Sequence, residues 1–123
     1  MTEQIERSTV ERIADELQET IGEPLLSVGV GWDADEVEFV YVRDDVEEQF
    51  GDVLEDIGVD LLADRHLEVG NLRRHGLEGP VLDGRLYHQA LIVTSWVESV
   101  PVSISLEPDT AHFQPAADAL QDA

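Results

Sequence analysis

The strongest local concentration of positive charge is the segment NLRRHG, residues 71–76. Arg73, Arg74 and His75 stand together in a chain that has 28 acidic residues and only seven basic ones, all of them arginine. Guanidinium groups bind carboxylates and phosphates through paired hydrogen bonds. These side chains either pair with the protein's own carboxylates or contact an acidic partner or a second subunit. We take the second interpretation as the prediction and assign Arg73, Arg74 and His75 as partner-binding residues.

The other residues with reactive side chains do not form a recognisable active site. The four histidines show neither an HExxH motif nor an i, i+4 pair that would suit zinc. His88 follows Tyr87 and could act as a base, but no serine or aspartate stands in a nucleophile motif such as GxSxG, and a histidine in a turn is the alternative. There is no cysteine. The sequence therefore predicts no catalytic residue, no metal and no cofactor.

Two further motifs resemble ligand-binding loops but lack residues that those loops require. VGVGW, residues 28–32, lacks the third glycine and the following helix of a dinucleotide-binding loop. DADEVE, residues 33–38, begins like a calcium loop but has no glycine at the sixth position and no glutamate at the twelfth. The first is predicted to be a strand and the second to contain a hairpin turn.

The overall charge restricts the class of partner. A net charge of −21 on 123 residues repels nucleic-acid phosphates and anionic lipids, so binding to either is not expected. The chain has no apolar run long enough for a membrane span and no signal-peptide pattern, which predicts a cytoplasmic protein. Dispersed carboxylates without lysine resemble the composition of proteins from extreme halophiles, where molar salt screens repulsion between carboxylates.

The elements that would position these residues can be read from hydrophobic spacing. Ser8 and Glu11 fit a capping box for a first helix, which Gly22 and Pro24 would end. The alternative is an earlier start from Thr2, with Ile5 on the same face of the helix. Alternating apolar residues then predict two strands, 26–32 and 37–41, that form a hairpin. The first strand alternates its apolar residues with serine and glycine, so its other face carries only small side chains.

A second helix is predicted after the segment VRDD. Asp44 or Asp45 would be its N-cap, and Arg43 would pair with one of the two or with a neighbouring carboxylate. The helix would present one continuous apolar face at the following positions: Val46, Phe50, Val53, Leu54, Ile57 and Leu61.

Three more strands and a final helix are predicted after residue 79. Asp83-Gly84 is either a tight turn or part of a strand that turns at Tyr87, His88 and Gln89, and we prefer the second because it gives strands of matched length. The last strand is VPVSISL, residues 100–106. Asp109 would cap the final helix, which is either bent at Pro115 or begins near Gln114.

The sequence shows two resemblances. The phrase FVYVRDDVEEQF in a short, lysine-free acidic chain resembles an uncharacterised family of small haloarchaeal proteins, and that resemblance implies no activity. The order helix, two strands, helix, three strands, helix is similar to the roadblock topology, whose members act as scaffolds and regulators of small GTPases and often dimerise. PAS, GAF and profilin-like sheets have related shapes with ligand or partner roles.

We therefore predict one α+β domain over residues 1–123, with helices on a five-stranded antiparallel sheet. The predicted function is a non-enzymatic protein-interaction or regulatory domain of a halophile. The alternative is a small-molecule sensing module of PAS or GAF shape, and an enzyme of unknown class is the third. A homodimer is expected to form through a sheet edge, for which the sparsely charged VPVSISL is suited, or through helix two, where Gly51 and Gly58 would allow close approach.

Overall fold

The structure is a computed structural model. It describes residues 7–33, 36–51, 53, 56–59, 82–97 and 100–121. The elements in chain order are as follows: α1 (Arg7–Thr20), β1 (Leu25–Asp33), β2 (Glu36–Val42), α2 (Asp44–Phe50), β3 (Leu82–Leu86), β4 (Leu91–Val97), β5 (Val100–Leu106), a 3-10 turn (Thr110–His112) and α3 (Phe113–Gln121). Residues 56–59 are also helical.

The strands form one antiparallel sheet in the order β2-β1-β5-β4-β3. The predicted α+β class, the five antiparallel strands and the element order are thus confirmed. One expectation about the sheet is wrong: VPVSISL forms β5, which pairs with β1 on one side and β4 on the other. The edges of the described sheet are β2 and β3, so β5 offers no edge to a second subunit.

One face of the sheet carries the core. Val28 of β1, Ile104 of β5 and Val93 of β4 lie side by side in the register and are completely buried. Helices α1 and α3 pack on this face and bury apolar stripes whose spacing follows the helical repeat, which the 3.6-residue period dictates. Their buried residues are Val10, Ile13, Ala14, Leu17, Ala116, Ala117, Ala119 and Leu120.

The ends of α1 and the start of α3 are set by residues close to them in sequence. Helix α1 includes Ser8, so Ser8 is not its N-cap and the predicted capping box is wrong. After the helix, Gly22 adopts φ 77° and its N–H lies 3.3 Å from the Leu17 carbonyl oxygen, a conformation that suits glycine. Before α3, the Asp109 side chain accepts a hydrogen bond from the Ala111 N–H at 2.9 Å, so Asp109 caps the 3-10 turn that leads into the helix.

The segment Leu82–Leu86 is a continuous strand that contains Asp83 and Gly84, and the chain turns at residues 87–90. The Tyr87 N–H donates to the Ala90 carbonyl across that turn at 2.8 Å. The preferred interpretation of Asp83-Gly84 is therefore confirmed. Gly84 is needed for packing: a Cβ there would lie 2.6 Å from Cε2 of Phe113, so the Phe113 ring rests directly on the β3 backbone.

Helix α2 differs from the prediction in length and in capping. It ends at Phe50, and none of its residues is buried. Residues 56–59 are again helical, and Leu54 and Leu61 of the predicted apolar face lie outside the described residues. The N-cap is Arg43, with extended backbone and no side-chain capping bond, rather than Asp44 or Asp45. Gly58 is buried against β2, since a Cβ there would lie 3.0 Å from Phe39 and Val37. It packs on its own sheet and does not admit a second backbone.

Candidate functional site

On β1 and β5, the face of the sheet opposite α1 and α3 carries small and hydroxyl side chains. Ser27, Ser105 and Ile92 lie side by side across three strands, and Gly29, Ser103 and Thr94 form the next row. Successive residues of a strand point to opposite faces, so these rows lie between the core residues in sequence but on the other side of the sheet. The small side chains make room above the sheet.

An open groove of about 400 Å³ occupies this space. Its floor is formed by β1, β4 and β5, one wall by α2 and residue 57, and one end by the turn after β3. The apolar residues that line it are Leu26, Val46, Phe50, Ile57, Ala90 and Ile92. The polar residues that line it are Ser27, Tyr87, Gln89 and Ser105.

Three large side chains at this groove are unusually exposed. Phe50 retains 37% of its surface, Ile57 40% and Tyr87 39%. In most proteins such side chains are buried against a core or a partner, and clusters of exposed apolar residues mark binding surfaces. The groove has the general form of a ligand site, which is concave, mostly apolar and furnished with a few polar groups.

A cluster of charged residues fixes the start of α2 beside the groove. Nε and one terminal nitrogen of Arg43 donate to the two carboxylate oxygens of Asp45 at 2.6 and 2.8 Å. The other terminal nitrogen donates to Glu107 at 2.9 Å and to the Glu23 carbonyl oxygen at 2.6 Å. Hydrogen bonds from Arg43 hold the pKa of Asp45 below its usual value, and those to Asp45 and Glu107 raise the pKa of Arg43. The predicted pairing of Arg43 with a neighbouring carboxylate is confirmed.

A polar cleft of about 450 Å³ adjoins Arg43. It is lined by Gln18, Gly22, Glu23, Tyr41 and Arg43. The guanidinium group of Arg43 is already directed to two carboxylates and a carbonyl, so its donors serve the fold rather than an incoming anion. We therefore regard the apolar groove as the better site.

A second charged cluster connects α1 to the β1–β2 hairpin. The indole Nε1 of Trp32 donates to Glu38 at 3.0 Å, and Nε of Arg7 donates to the other oxygen of Glu38 at 2.8 Å. Arg7 also pairs with Glu11. The hydrogen bond from Trp32, followed by that from Arg7, keeps the pKa of Glu38 below its ordinary value. This arrangement is structural, since both oxygens of Glu38 are engaged by the chain itself.

The partner-binding residues predicted from the sequence lie in a segment that the structure does not describe. Arg73, Arg74 and His75 lie outside the described residues, so the structure does not place them. Of the histidines that are described, His88 is exposed and His112 is half-buried. Within the described ranges there is no group of three or more His, Asp, Glu or Cys side chains that could hold a metal ion.

The groove was not predicted, although the sequence contained one signal for it. Ser27 and Gly29, and likewise Ser103 and Ser105, alternate with core residues along β1 and β5. These strands carry only small side chains on their second face, while the α2 segment carries large apolar ones that are not buried in the helix. Small residues opposite large, unburied ones indicate space between the sheet and α2. Which residues border that space depends on the strand order.

The fold and the groove define a single-sheet α+β domain with a concave apolar surface. A family model described as "Domain of unknown function (DUF7522)" matches residues 11–123, and the chain belongs to that family. The expected membership of an uncharacterised family is thus confirmed. Comparison with curated proteins gave no match, and comparison with solved structures gave none. In the part of the chain that is described, no helix has the length and hydrophobicity to span a membrane.

Proposed function

We propose that this protein is a non-enzymatic interaction or regulatory domain of the cytoplasm of a halophilic archaeon. The net charge of −21 with seven arginines and no lysine supports the habitat, because only high salt removes the repulsion within such a surface. The same charge disfavours nucleic acids and anionic lipids as partners. The proposed partner is a protein.

The observation that carries this proposal is the exposed apolar end of strand β3. In the described sheet, β3 pairs with β4 alone, so its other side is an edge. Leu86 on this strand retains 58% of its surface, and Tyr87 follows it. Unprotected strand edges pair readily with other chains. We propose that a second copy of this chain, or a protein partner, covers the edge.

Light scattering in molar KCl tests the proposed homodimer. We expect the wild-type protein to be a dimer and Leu86→Glu to shift it toward the monomer, because the substitution places a charge at the contact. Gln121→Glu adds the same charge at the exposed end of α3 and is the control, which should remain dimeric. A wild-type monomer would refute self-association, and equal behaviour of the two variants would remove the β3 edge from the contact.

Arg73, Arg74 and His75 remain the proposed partner-binding segment. Arginines that face the carboxylates of a second subunit would reduce the repulsion between two highly acidic copies. The variant Arg73→Ser, Arg74→Ser should therefore weaken the dimer. An unchanged dimer in this variant would show that the arginines do not contribute.

A second candidate function is a small-molecule sensing module, and the groove favours it. Its volume of about 400 Å³ lies in the range of roughly 300–1,000 Å³ that ligand sites occupy. The similarity to PAS and GAF domains concerns only the order of helices and strands. The groove supports a ligand-binding role without relying on that similarity. A molecule that co-purifies with the protein and is identified by mass spectrometry would support this function.

A further inference from the structure

We propose that the groove binds an uncharged, mainly apolar small molecule that carries one or two hydrogen-bonding groups, and that this ligand stabilises α2. The inference rests on the sensing role proposed above and specifies its ligand. It is distinguished from the proposed dimer by a different measurement, ligand titration rather than light scattering.

The lining of the groove determines the charge of the ligand. None of the described residues that line it is an aspartate, glutamate, arginine or histidine. A charged ligand would lose its hydration without gaining an oppositely charged partner among these residues, at a cost that salt in the solvent does not remove. Asp44, Asp45 and Glu47 in the first turn of α2 further disfavour an anion at the rim. The described part of the lining therefore favours an uncharged molecule.

The polar groups of the groove determine its hydrogen-bonding character. Ser27 and Ser105 lie next to each other on the floor, in register across β1 and β5. Tyr87 and Gln89 provide a hydroxyl and an amide at the end formed by the turn. Each hydroxyl can donate or accept, so a ligand hydroxyl, ketone or amide would be accommodated. The remaining surface is apolar and would enclose a ring or an alkyl chain.

The state of α2 indicates what the ligand would change. The helix has seven residues, fewer than an isolated helix needs for stability in water, and none of them is buried. Val46 and Phe50 line the groove, where Val46 is half-buried and Phe50 is exposed. A ligand between them and the sheet would contact both side chains. Binding to the folded helix would then stabilise it by mass action.

The test uses 2-naphthol as the probe, with 2-naphthoate as its charged analogue on the same ring system. Titration into ¹⁵N-labelled full-length protein in molar KCl should give saturable shifts of the amide signals of Ser27, Ala90 and Ser105 with 2-naphthol. The affinity for 2-naphthoate should be lower by about tenfold or more, a difference of about 1.4 kcal/mol. Hydrogen exchange of the Gly51 amide, which donates to the Glu47 carbonyl, should slow when 2-naphthol is present.

Two matched variants locate the binding. Ser105→Phe should fill the groove and abolish the shifts caused by 2-naphthol. Ser103→Phe introduces the same side chain on the same face of β5, at a position that does not line the groove, and should retain them. If both variants bind alike, the site lies elsewhere and the proposal is overturned. The wild-type shift map decides the location even where a variant does not fold.

The outcomes separate the two levels of the proposal. Equal affinity for 2-naphthol and 2-naphthoate at the groove would overturn the ligand class and leave the sensing role standing. Absence of groove shifts with both compounds would overturn the sensing role as well. Binding of 2-naphthol without slower exchange at Gly51 would overturn the coupling to α2. The interaction function is tested separately by light scattering.

Discussion

Arg43 connects three parts of the chain that are distant in sequence. Its guanidinium group holds Asp45 in α2, the Glu23 carbonyl before β1 and Glu107 after β5. The sequence indicated that Arg43 would pair with a carboxylate, but it did not indicate Glu107, which lies 64 residues away. A planar guanidinium group can make these bonds together, and an ammonium group cannot reproduce their geometry.

We expect Arg43→Gln to lower the free energy of unfolding by about 1 kcal/mol, the upper end for partly exposed ion pairs. Arg43→Lys should recover less than half of that loss, because it retains the charge without the paired bonds to Asp45. Chemical denaturation in molar KCl measures both values. Arg12→Gln removes the same charge from an exposed position on α1 and should have a smaller effect. Equal losses at Arg12 and Arg43 would show that only net charge matters.

Glu38 provides a prediction about pH. Its lowered pKa means that the ionised form is favoured in the folded protein, so its stabilising effect is present above the ordinary pKa of about 4.5 and is lost as the pH falls through the folded value. The stability advantage of the wild-type protein over Glu38→Gln should therefore shrink as the pH is lowered below about 4.5. Denaturation curves at several pH values measure this difference. Glu48→Gln serves as a control for the loss of one exposed carboxylate, and the same pH trend there would contradict the prediction.

Strand β3 and helix α3 meet at a close contact between Gly84 and Phe113. The Phe113 ring lies where a side chain at position 84 would be, so the glycine is required by packing and not by a turn. The sequence could not distinguish these reasons, because Asp-Gly is also a common hairpin turn. The contact joins an edge strand to the helix that closes the core, and it determines how firmly β3 is held.

We expect Gly84→Ala to destabilise the protein by about 1–3 kcal/mol through overpacking against Phe113. Strand propensity alone would give the opposite sign, since alanine is favoured over glycine in a strand by about 0.5–1 kcal/mol. Phe113→Leu in the same chain should reduce the cost of Gly84→Ala, so the two changes should be less than additive in denaturation experiments. A stabilising Gly84→Ala, or strict additivity, would contradict this packing.

The acidic surface of the molecule has a consequence for its stability as a whole. At low salt, the net charge of −21 favours the expanded unfolded chain, in which the carboxylates are farther apart. In about 1 M salt the screening length is only about 3 Å, which removes most of that repulsion. The same screening is needed before two copies of the chain can associate.

We therefore expect the melting temperature to rise as KCl is increased from dilute buffer to molar concentration, as measured by circular dichroism. A series in sucrose at matched osmolality is the control, because sucrose favours compact states without screening charge. A larger rise in KCl than in sucrose would establish the electrostatic origin. A melting temperature that stays constant or falls with KCl would contradict the proposed adaptation to high salt.

The sequence by itself determined the features that depend on neighbouring residues. Hydrophobic spacing indicated the order of helices and strands and the α+β class, and glycine and proline marked the helix stop at Gly22. For Asp83-Gly84 it left a turn and a strand open, and the structure decided for the strand. The element order and the helix stop follow from the periods of 3.6 and 2 residues and from the backbone freedom of glycine, which are local properties. The prediction of the α2 N-cap was wrong because the helix begins at Asp44, so Arg43 takes the N-cap position and both aspartates lie inside the first turn.

Only the tertiary structure decided which strands are neighbours. Strand β5 has the composition expected of either an edge or a centre, and its place between β1 and β4 results from pairing between residues more than seventy positions apart, such as Val28 and Ile104. An alternating pattern states which side chains share a face but not which strand lies beside it. The groove depends on the same pairing, because residues 26, 46, 92 and 105 border one space only when β1, β5 and β4 are adjacent and α2 lies on the face opposite α1 and α3.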